Sequence, residues 1–142
     1  MILLDVNVVV AAFRTSHPDH DVVRPWFDAL LAAPEPFTVP DVVWSSFVRI
    51  VTNRRIFSVP SPAAGAFDFV RAVRDQPRHV AIAPGERHLE VFEQLCVDDQ
   101  AVGDLVPDAY IASLALEQGA SVATLDRDFG RFTGLSIVAP PT

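Results

Sequence analysis

The sequence predicts an α/β fold in which a parallel sheet lies between two layers of helices. Short apolar runs alternate with longer segments of helical periodicity from one end of the chain to the other. The short runs are continuous in valine, isoleucine and leucine, as in strands covered on both faces. The chain has 142 residues, of which 50% are hydrophobic, enough for one domain with a sizeable core. We therefore expect a single three-layer α/β/α domain over 1–142 with about five short parallel strands.

The first half of the chain predicts two strands and three helices. Residues 2–5 form a short buried strand, and the run "NVVVAAF" that follows it begins a short helix. Apolar side chains recur at helical spacing over 17–33 and 40–53, and "FTV" at 37–39 is the second strand. Pro25 interrupts the first of these two patterns, so we expect that helix to start late or to kink there.

The second half predicts three more helices and three more strands. Ser61 is the expected N-cap of a helix that has Pro62 as its first residue. Residues 85–97 form the next helix. Its side chains expected to point inward are Leu89, Phe92, Leu95 and Cys96. The last helix covers 104–119 and stops at Gly119, a residue suited to the left-handed conformation of a helix end. The predicted strands are 79–83, 121–126 and 135–139.

The charge balance favours a cation site or a basic partner. Eighteen acidic residues stand against eleven basic ones, all of them arginine, and the net charge is −7. This balance argues against a protein that coats nucleic acid by charge alone. The single cysteine, Cys96, cannot form an internal disulfide and fits a reducing cytoplasm. We expect neither a signal peptide nor a membrane span, because no basic region precedes the first apolar run and no run approaches the ~20 residues that cross a bilayer.

Acidic residues follow two of the predicted strands. Asp5 closes the first strand, Asp126 closes the fourth, and Asp128 follows two residues later. Asp108 lies in the first turn of the helix that precedes the fourth strand. Ligands of open parallel sheets bind beyond the carboxyl ends of the strands. If the first and fourth strands are neighbours, these side chains converge there, and Asp5 faces that edge of the sheet instead of the core. Clustered carboxylates need cations to neutralise them, and an oxygen-only ligand set suits Mg²⁺ or Mn²⁺.

Each of these acids also has a purely structural interpretation. Asp108 favours a helix N-terminus through the helix dipole. Asp126 can cap the short turn "RDFGRF", and Asp5 can cap a helix that begins near Asn7. For any one residue the capping interpretation is the commoner one. Three independent caps, however, would have no reason to gather at one edge of a sheet, so the set favours a functional site.

Three segments in this order resemble the motifs of PIN-domain ribonucleases. They are "LLDVNVVVAAF", "GDLVPDAYIASLALEQGA" and "VATLDRDFGRF". The resemblance extends over essentially the whole chain and is greatest to the VapC toxins of bacterial toxin–antitoxin pairs. It implies a PIN-like fold and a metal-dependent endoribonuclease that hydrolyses RNA phosphodiester bonds.

The resemblance also implies roles for individual residues. The implied ligands of Mg²⁺ or Mn²⁺ are Asp5, Asp108 and Asp126. Asp128 matches an accessory acid, so that four aspartates make up the expected catalytic set. Asn7 and Thr124 match polar positions that brace the acids. A metal bound by such carboxylates lowers the pKa of a water molecule and makes hydroxide available near neutral pH.

One position departs from the family pattern. The family usually carries a glutamate in the helix after the second strand, where this chain has Ser46. Serine is a poor substitute for an anionic ligand, which leaves the number of metal ions open. Asp104 stands four residues before Asp108, and the two would share a helix face if the helix includes both. Asp104 then either replaces part of the missing charge or acts only as the helix N-cap.

The implied partners are an RNA substrate, a cognate VapB-like antitoxin and a second copy of the chain in a homodimer. Two other functions stay open at this point. A degenerate PIN domain would bind its antitoxin or RNA without cleavage, as Ser46 allows. A haloacid-dehalogenase-like phosphohydrolase also begins with an aspartate after its first strand, but it requires a second acid where this chain has Asn7, and a lysine that this chain lacks.

Overall fold

A parallel sheet of four strands crosses the molecule. The computed structural model describes residues 1–141, and its strands are β1 (Ile2–Leu4), β2 (Phe37–Thr38), β3 (Ser121–Ala123) and β4 (Ile137–Val138). Their order is β2-β1-β3-β4, and all neighbours run parallel. Leu4 of β1 pairs with Ala123 of β3, so the first and third strands end at the same level.

Within residues 1–141, six α-helices accompany the sheet. They are α1 (Val6–Phe13), α2 (His20–Ala32), α3 (Asp41–Val51), α4 (Ala63–Arg74), α5 (His88–Asp98) and α6 (Val106–Gln118). Helix α1 packs against α2 and α3, α3 packs against α4, and α5 packs against α6. This is the three-layer α/β/α arrangement that the sequence predicts. Within 1–141, no helix is long and apolar enough to cross a membrane.

The predicted strand at 79–83 is wrong, so the sheet has four strands and not about five. Its only ladder contact is a single bridge between His79 and Phe37. The Val80 N–H donates to the Phe37 carbonyl at 2.8 Å, and the chain then leaves the sheet. Farther along, the N–H groups of Gly85 and Arg87 donate to the Glu117 carboxylate at 2.8 and 3.2 Å. The contacts with α6 thus begin only after the predicted strand, and within it the ladder stops at the single bridge of His79.

The starts of α2 and α4 differ from what their prolines and Ser61 predict. Helix α2 begins at His20 and continues through Pro25, so the expectation of a late start is wrong. Pro62 is the N-cap of α4, and Ser61 lies outside the cap. The hydroxyl of Ser61 instead accepts a hydrogen bond from Nη1 of Arg14 at 2.8 Å. Ser61 therefore ties the chain before α4 to Arg14 and makes no capping bond to the helix.

The buried face of α5 is rotated relative to the predicted one. Leu89 is 71% exposed, whereas its neighbour His88 is 4% exposed. The Nε2 atom of His88 lies 2.8 Å from the Ser113 hydroxyl of α6. His88, Phe92 and Leu95 therefore form the inward face, because the histidine finds a polar partner that periodicity of apolar residues cannot reveal.

Candidate active site

The carboxyl edge of the sheet gathers the predicted acids because β1 and β3 are neighbours. Asp5 follows β1 directly, and its N–H donates to the Ala123 carbonyl at the end of β3 at 3.0 Å. Asp126 follows β3 by three residues. The expectation that the strands before Asp5 and Asp126 lie side by side is therefore confirmed.

Asp5 lies at this edge but is buried, with 6% of its surface exposed. Its Oδ1 accepts the Val6 N–H at 2.7 Å, which makes Asp5 the N-cap of α1. Its Oδ2 accepts the Thr124 hydroxyl at 2.8 Å. Burial raises the pKa of Asp5 above its usual value despite these two donors, and the nearby Asp126 carboxylate raises it further. Asp5 thus caps α1 and also lies at the edge where the sequence predicts a site, and it is buried more deeply than the sequence indicated.

Thr124 is the centre of the polar network at this edge. While its hydroxyl donates to Asp5, the oxygen accepts from Nδ2 of Asn7 at 3.1 Å and from the Asp126 N–H at 3.0 Å. Asn7 in turn accepts the Leu125 N–H at 3.1 Å. The chain just after β3 is therefore tied to the start of α1, and the positions of the two acids are coupled through one hydroxyl.

Asp108 projects from the first turn of α6 and is half-buried. Burial, followed in order by repulsion from Asp126, Asp5 and Asp128, raises the pKa of Asp108 to about 6. Arg131 acts in the opposite direction and lowers it. The mutual repulsion shows that the structure brings all four predicted carboxylates into one electrostatic environment, which we call the acid site.

The remaining two acids lie on one short turn. Oδ1 of Asp126 accepts the Asp128 N–H at 2.9 Å and caps the 3₁₀ turn Arg127–Arg131. Asp126 is half-buried and Asp128 is exposed. Asp126, like Asp5, is therefore both a capping residue and a member of the acid site. Its Oδ2 atom takes no part in the capping bond.

The glutamate position of the family pattern remains neutral. Ser46 on α3 lines the same cleft as Asp5 and Asp108. Asp104 lies in a 3₁₀ turn, Gly103–Leu105, before α6 begins at Val106. The premise that Asp104 and Asp108 share a face of one helix is therefore wrong. Asp104 is exposed, and it is not among the charges that shift the pKa of Asp108.

The chemistry of the acid site fits a hard divalent cation. Its donors are carboxylate oxygens, and a cation would relieve the repulsion that raises the pKa of Asp108. In the conformation described for 1–141, no three His, Cys, Asp or Glu side chains are close enough to hold one ion together. Closing the site around an ion therefore requires side-chain movement, which is available to Asp126 and Asp128 since both are less buried than Asp5.

The acid site opens into a cleft of about 270 Å³ that sequence patterns did not reveal. Asp5 and Asp108 line it, while most of its wall is apolar. We call this space the apolar cleft. Besides Ser46, its wall includes Val42, Val43, Phe92, Val106, Pro107 and Tyr110. These residues come from α3, α5 and α6. Helical periodicity marks them as apolar, but only packing shows that they leave a space.

Comparisons with known proteins agree with one another. Residues 2–135 match the family model of the PIN domain. The sequence is similar to ribonuclease VapC25 of Mycobacterium tuberculosis, with 55% identity over 141 residues that cover 99% of each protein. The structure is similar to VapBC2 from Rickettsia felis, solved with a DNA fragment from its promoter. The TM-score is 0.73 at 18% identity, covering 99% of this chain and 100% of that one. It is also similar to VapC20 of M. tuberculosis, a toxin that cleaves the sarcin–ricin loop. There the TM-score is 0.71 at 16% identity, again covering 99% and 100%.

Proposed function

Because this chain belongs to the PIN-domain family, and within it to the VapC ribonucleases, we propose that it is an endoribonuclease whose acid site works with Mg²⁺ or Mn²⁺. The observation that carries the proposal is the grouping of Asp5, Asp108 and Asp126 beyond the ends of two adjacent parallel strands. Asp108 is held there with a pKa of about 6 by burial and by its neighbours. Such a group of like charges is costly unless it serves a cation.

Three aspartates would hold the ion, and Asp128 is the accessory acid. When bound, the ion lowers the pKa of a water molecule and stabilises the charge that develops on the phosphate. The protein itself contributes the positions of the carboxylates. The Thr124 hydroxyl and the Val6 N–H fix both oxygens of Asp5. Water would form the new bond to phosphorus as one P–O ester bond breaks, and the ester oxygen would leave as a hydroxyl with a proton taken from the water, so no covalent intermediate on the protein is required.

The proposed partners follow from the family and the charge. VapC proteins are the toxins of toxin–antitoxin pairs, and the similar Rickettsia felis structure is a VapBC assembly. We expect a cognate VapB-like antitoxin to silence this chain, and the net charge of −7 favours a basic segment on that partner. A homodimer and a cytoplasmic location, where the RNA substrate is found, complete the proposal.

An RNA cleavage assay tests this function. Purified protein is incubated with total RNA in Mn²⁺, in Mg²⁺ and in EDTA, and the products are sequenced at their ends. We expect cleavage by the wild type with metal, none in EDTA, and none with Asp5→Asn. Asp98→Asn is the matched control, since it removes the same charge from the exposed end of α5.

The outcome also separates the rival functions. Cleavage that survives Asp5→Asn at wild-type rate would contradict the proposed site. If RNA binds but stays intact with either metal, the degenerate PIN domain is the correct interpretation. The haloacid-dehalogenase alternative conflicts with the family match over 2–135.

A further inference from the structure

The apolar cleft is unusual in its position. It shares Asp5 and Asp108 with the acid site, and it opens beside the place where the proposed function requires a phosphate. Val42, on its wall, is 39% exposed although it is apolar. A phosphodiester at the acid site would therefore have this apolar cleft next to it.

We propose that the apolar cleft holds one unpaired nucleobase of the RNA, adjacent to the scissile phosphate, between Phe92 and the α3 wall. This inference rests on the proposed ribonuclease function and adds the feature of the substrate that the site reads. The base and its phosphate would enter as one unit, with the flat apolar part in the cleft and the charged part at the acids.

Aromatic residues in the cleft wall favour a base over an aliphatic ligand. The rings of Phe92 and Tyr110 meet edge to face, with centroids 5.5 Å apart and an interplanar angle of 77°. An aromatic wall offers a face or an edge to a flat ring, and stacking on it tolerates any base. Ser46 adds one hydroxyl to the opposite wall. A carboxylate at this position would place a third charge in the cleft and disfavour an apolar occupant.

A buried histidine holds the aromatic wall in place. The ring of His88 lies stacked on Phe92 at 6.0 Å and edge-on to Tyr110 at 4.5 Å. His88 is in turn held by the Ser113 hydroxyl, which donates to the Tyr110 carbonyl at 2.7 Å. The wall therefore exists before a ligand binds, and little ordering is left to be done on binding.

The size of the cleft limits the substrate. At about 270 Å³ it is smaller than the usual range for drug-sized ligands, roughly 300–1,000 Å³. A single base fits in this space. Bases inside a duplex are paired and stacked, so a base can enter only from a loop, a bulge or a single strand. The proposed substrate is thus unpaired RNA at the cleavage point.

An abasic scan tests the proposal. A cleavage point is first mapped in a short single-stranded RNA in Mn²⁺, and a series of RNAs is then made, each lacking one base near that point. We expect loss of one particular base, next to the cleaved bond, to lower kcat/KM by roughly tenfold or more, the scale of one base stacked on an aromatic side chain. Abasic sites elsewhere should change it little.

Two variants connect this effect to the cleft. Phe92→Leu keeps the apolar volume and removes the aromatic face, so it should abolish the sensitivity to the missing base. Val42→Trp fills the cleft from its exposed rim without disturbing the core, and it should lower kcat/KM for the intact RNA. Leu89→Ala is the control, since Leu89 lies on α5 but is 71% exposed and outside the cleft.

The outcomes distinguish this proposal from the function on which it rests. If all abasic RNAs are cut at equal rates, the base pocket is refuted and the ribonuclease function stands. If Phe92→Leu weakens only the binding of a protein partner, the cleft accepts an apolar side chain and the proposal is wrong. If no RNA is cut, the function fails. Binding of eight-residue oligouridylate with and without a central abasic site then decides the pocket, and equal affinities refute it.

Discussion

Replacing Asp108 by asparagine should make the metal-free protein more stable while it removes metal binding. Asp108→Asn keeps the shape of the side chain and deletes a charge that Asp126, Asp5 and Asp128 repel. Stability and function therefore oppose each other at this residue. A residue that served only as a helix-terminal acid would show the reverse, since removing it would weaken α6.

The magnitude follows from the pKa of Asp108, which is about 6 compared with 3.8 for an unperturbed aspartate. One pKa unit corresponds to 1.36 kcal/mol, so the upper limit is about 3 kcal/mol. Because Asp108 is only half-buried, solvent screens much of this, and we expect about 1 kcal/mol. The sign follows from linkage. Well below pH 3.8 the Asp108 carboxyl is protonated in both the folded and the unfolded protein, and its raised pKa costs no stability. As the pH rises towards 6, the unfolded state loses this proton more readily than the folded state, so the free energy of unfolding falls.

Thermal unfolding in EDTA at pH 4 and pH 7.5 measures this effect. At pH 7.5 the Tm of Asp108→Asn should exceed that of the wild type by about 2–5 °C, and at pH 4 the two should agree. Added Mn²⁺ should raise the Tm of the wild type and leave the variant unchanged. Glu93→Gln removes an exposed charge from α5 and serves as the control. A variant that is no more stable than the wild type at pH 7.5 would refute the electrostatic argument.

Three further changes test other parts of the site and the fold. Ser46→Glu adds a carboxylate to the cleft shared with Asp5 and Asp108, so it should lower the metal-free Tm by a few degrees at pH 7.5 and reduce the Mn²⁺ concentration that restores it. An unchanged Mn²⁺ midpoint would show that position 46 does not reach the ion. Thr124→Val leaves Oδ2 of Asp5 without its donor, which should cost about 1–3 kcal/mol in urea unfolding and slow RNA cleavage. Wild-type cleavage in this variant would show that the hydroxyl does not position Asp5. Gly119→Ala meets no atom within 4 Å, but φ there is +65°, so urea unfolding should show a loss of about 1–2 kcal/mol from backbone strain alone. No loss would mean that the end of α6 adjusts.

Much of the fold follows from local patterns. The short run before Asp5 and the longer apolar run after it predict a strand and a helix, and both form. Gly119 ends α6 in the left-handed conformation, as its position predicts. The error at 79–83 has a long-range cause. An apolar run becomes a strand only where a neighbour offers a ladder. Here the ladder stops at the bridge of His79 with Phe37, and the chain beyond it is held by the Glu117 carboxylate, which accepts the N–H groups of Gly85 and Arg87.

The acid site, like the fold, was predictable only in part. Its members are recognisable from their positions after strands and in the first turn of a helix, and parallel strand order then predicts that they meet. The depth of Asp5, at 6% exposure, was not predictable, because burial is set by residues distant in the chain; Thr124, whose hydroxyl donates to Asp5, lies 119 residues away. The position of Asp104 was not predictable either. Its spacing of four residues from Asp108 suggested a shared helix face, but Asp104 lies in a 3₁₀ turn before α6 begins.

The sequence by itself determined the α/β class, most of the helix and strand pattern and the identity of the acids, because these depend on residue type and on spacing within one element. Tertiary structure alone decided the sheet order, the burial and pKa of Asp5 and Asp108, and the apolar cleft beside them. The physical reason is that burial and repulsion depend on distances between elements that are far apart in the chain. The cleft is the clearest case, since Val42, Phe92 and Tyr110 belong to three different helices and only their packing leaves a space between them.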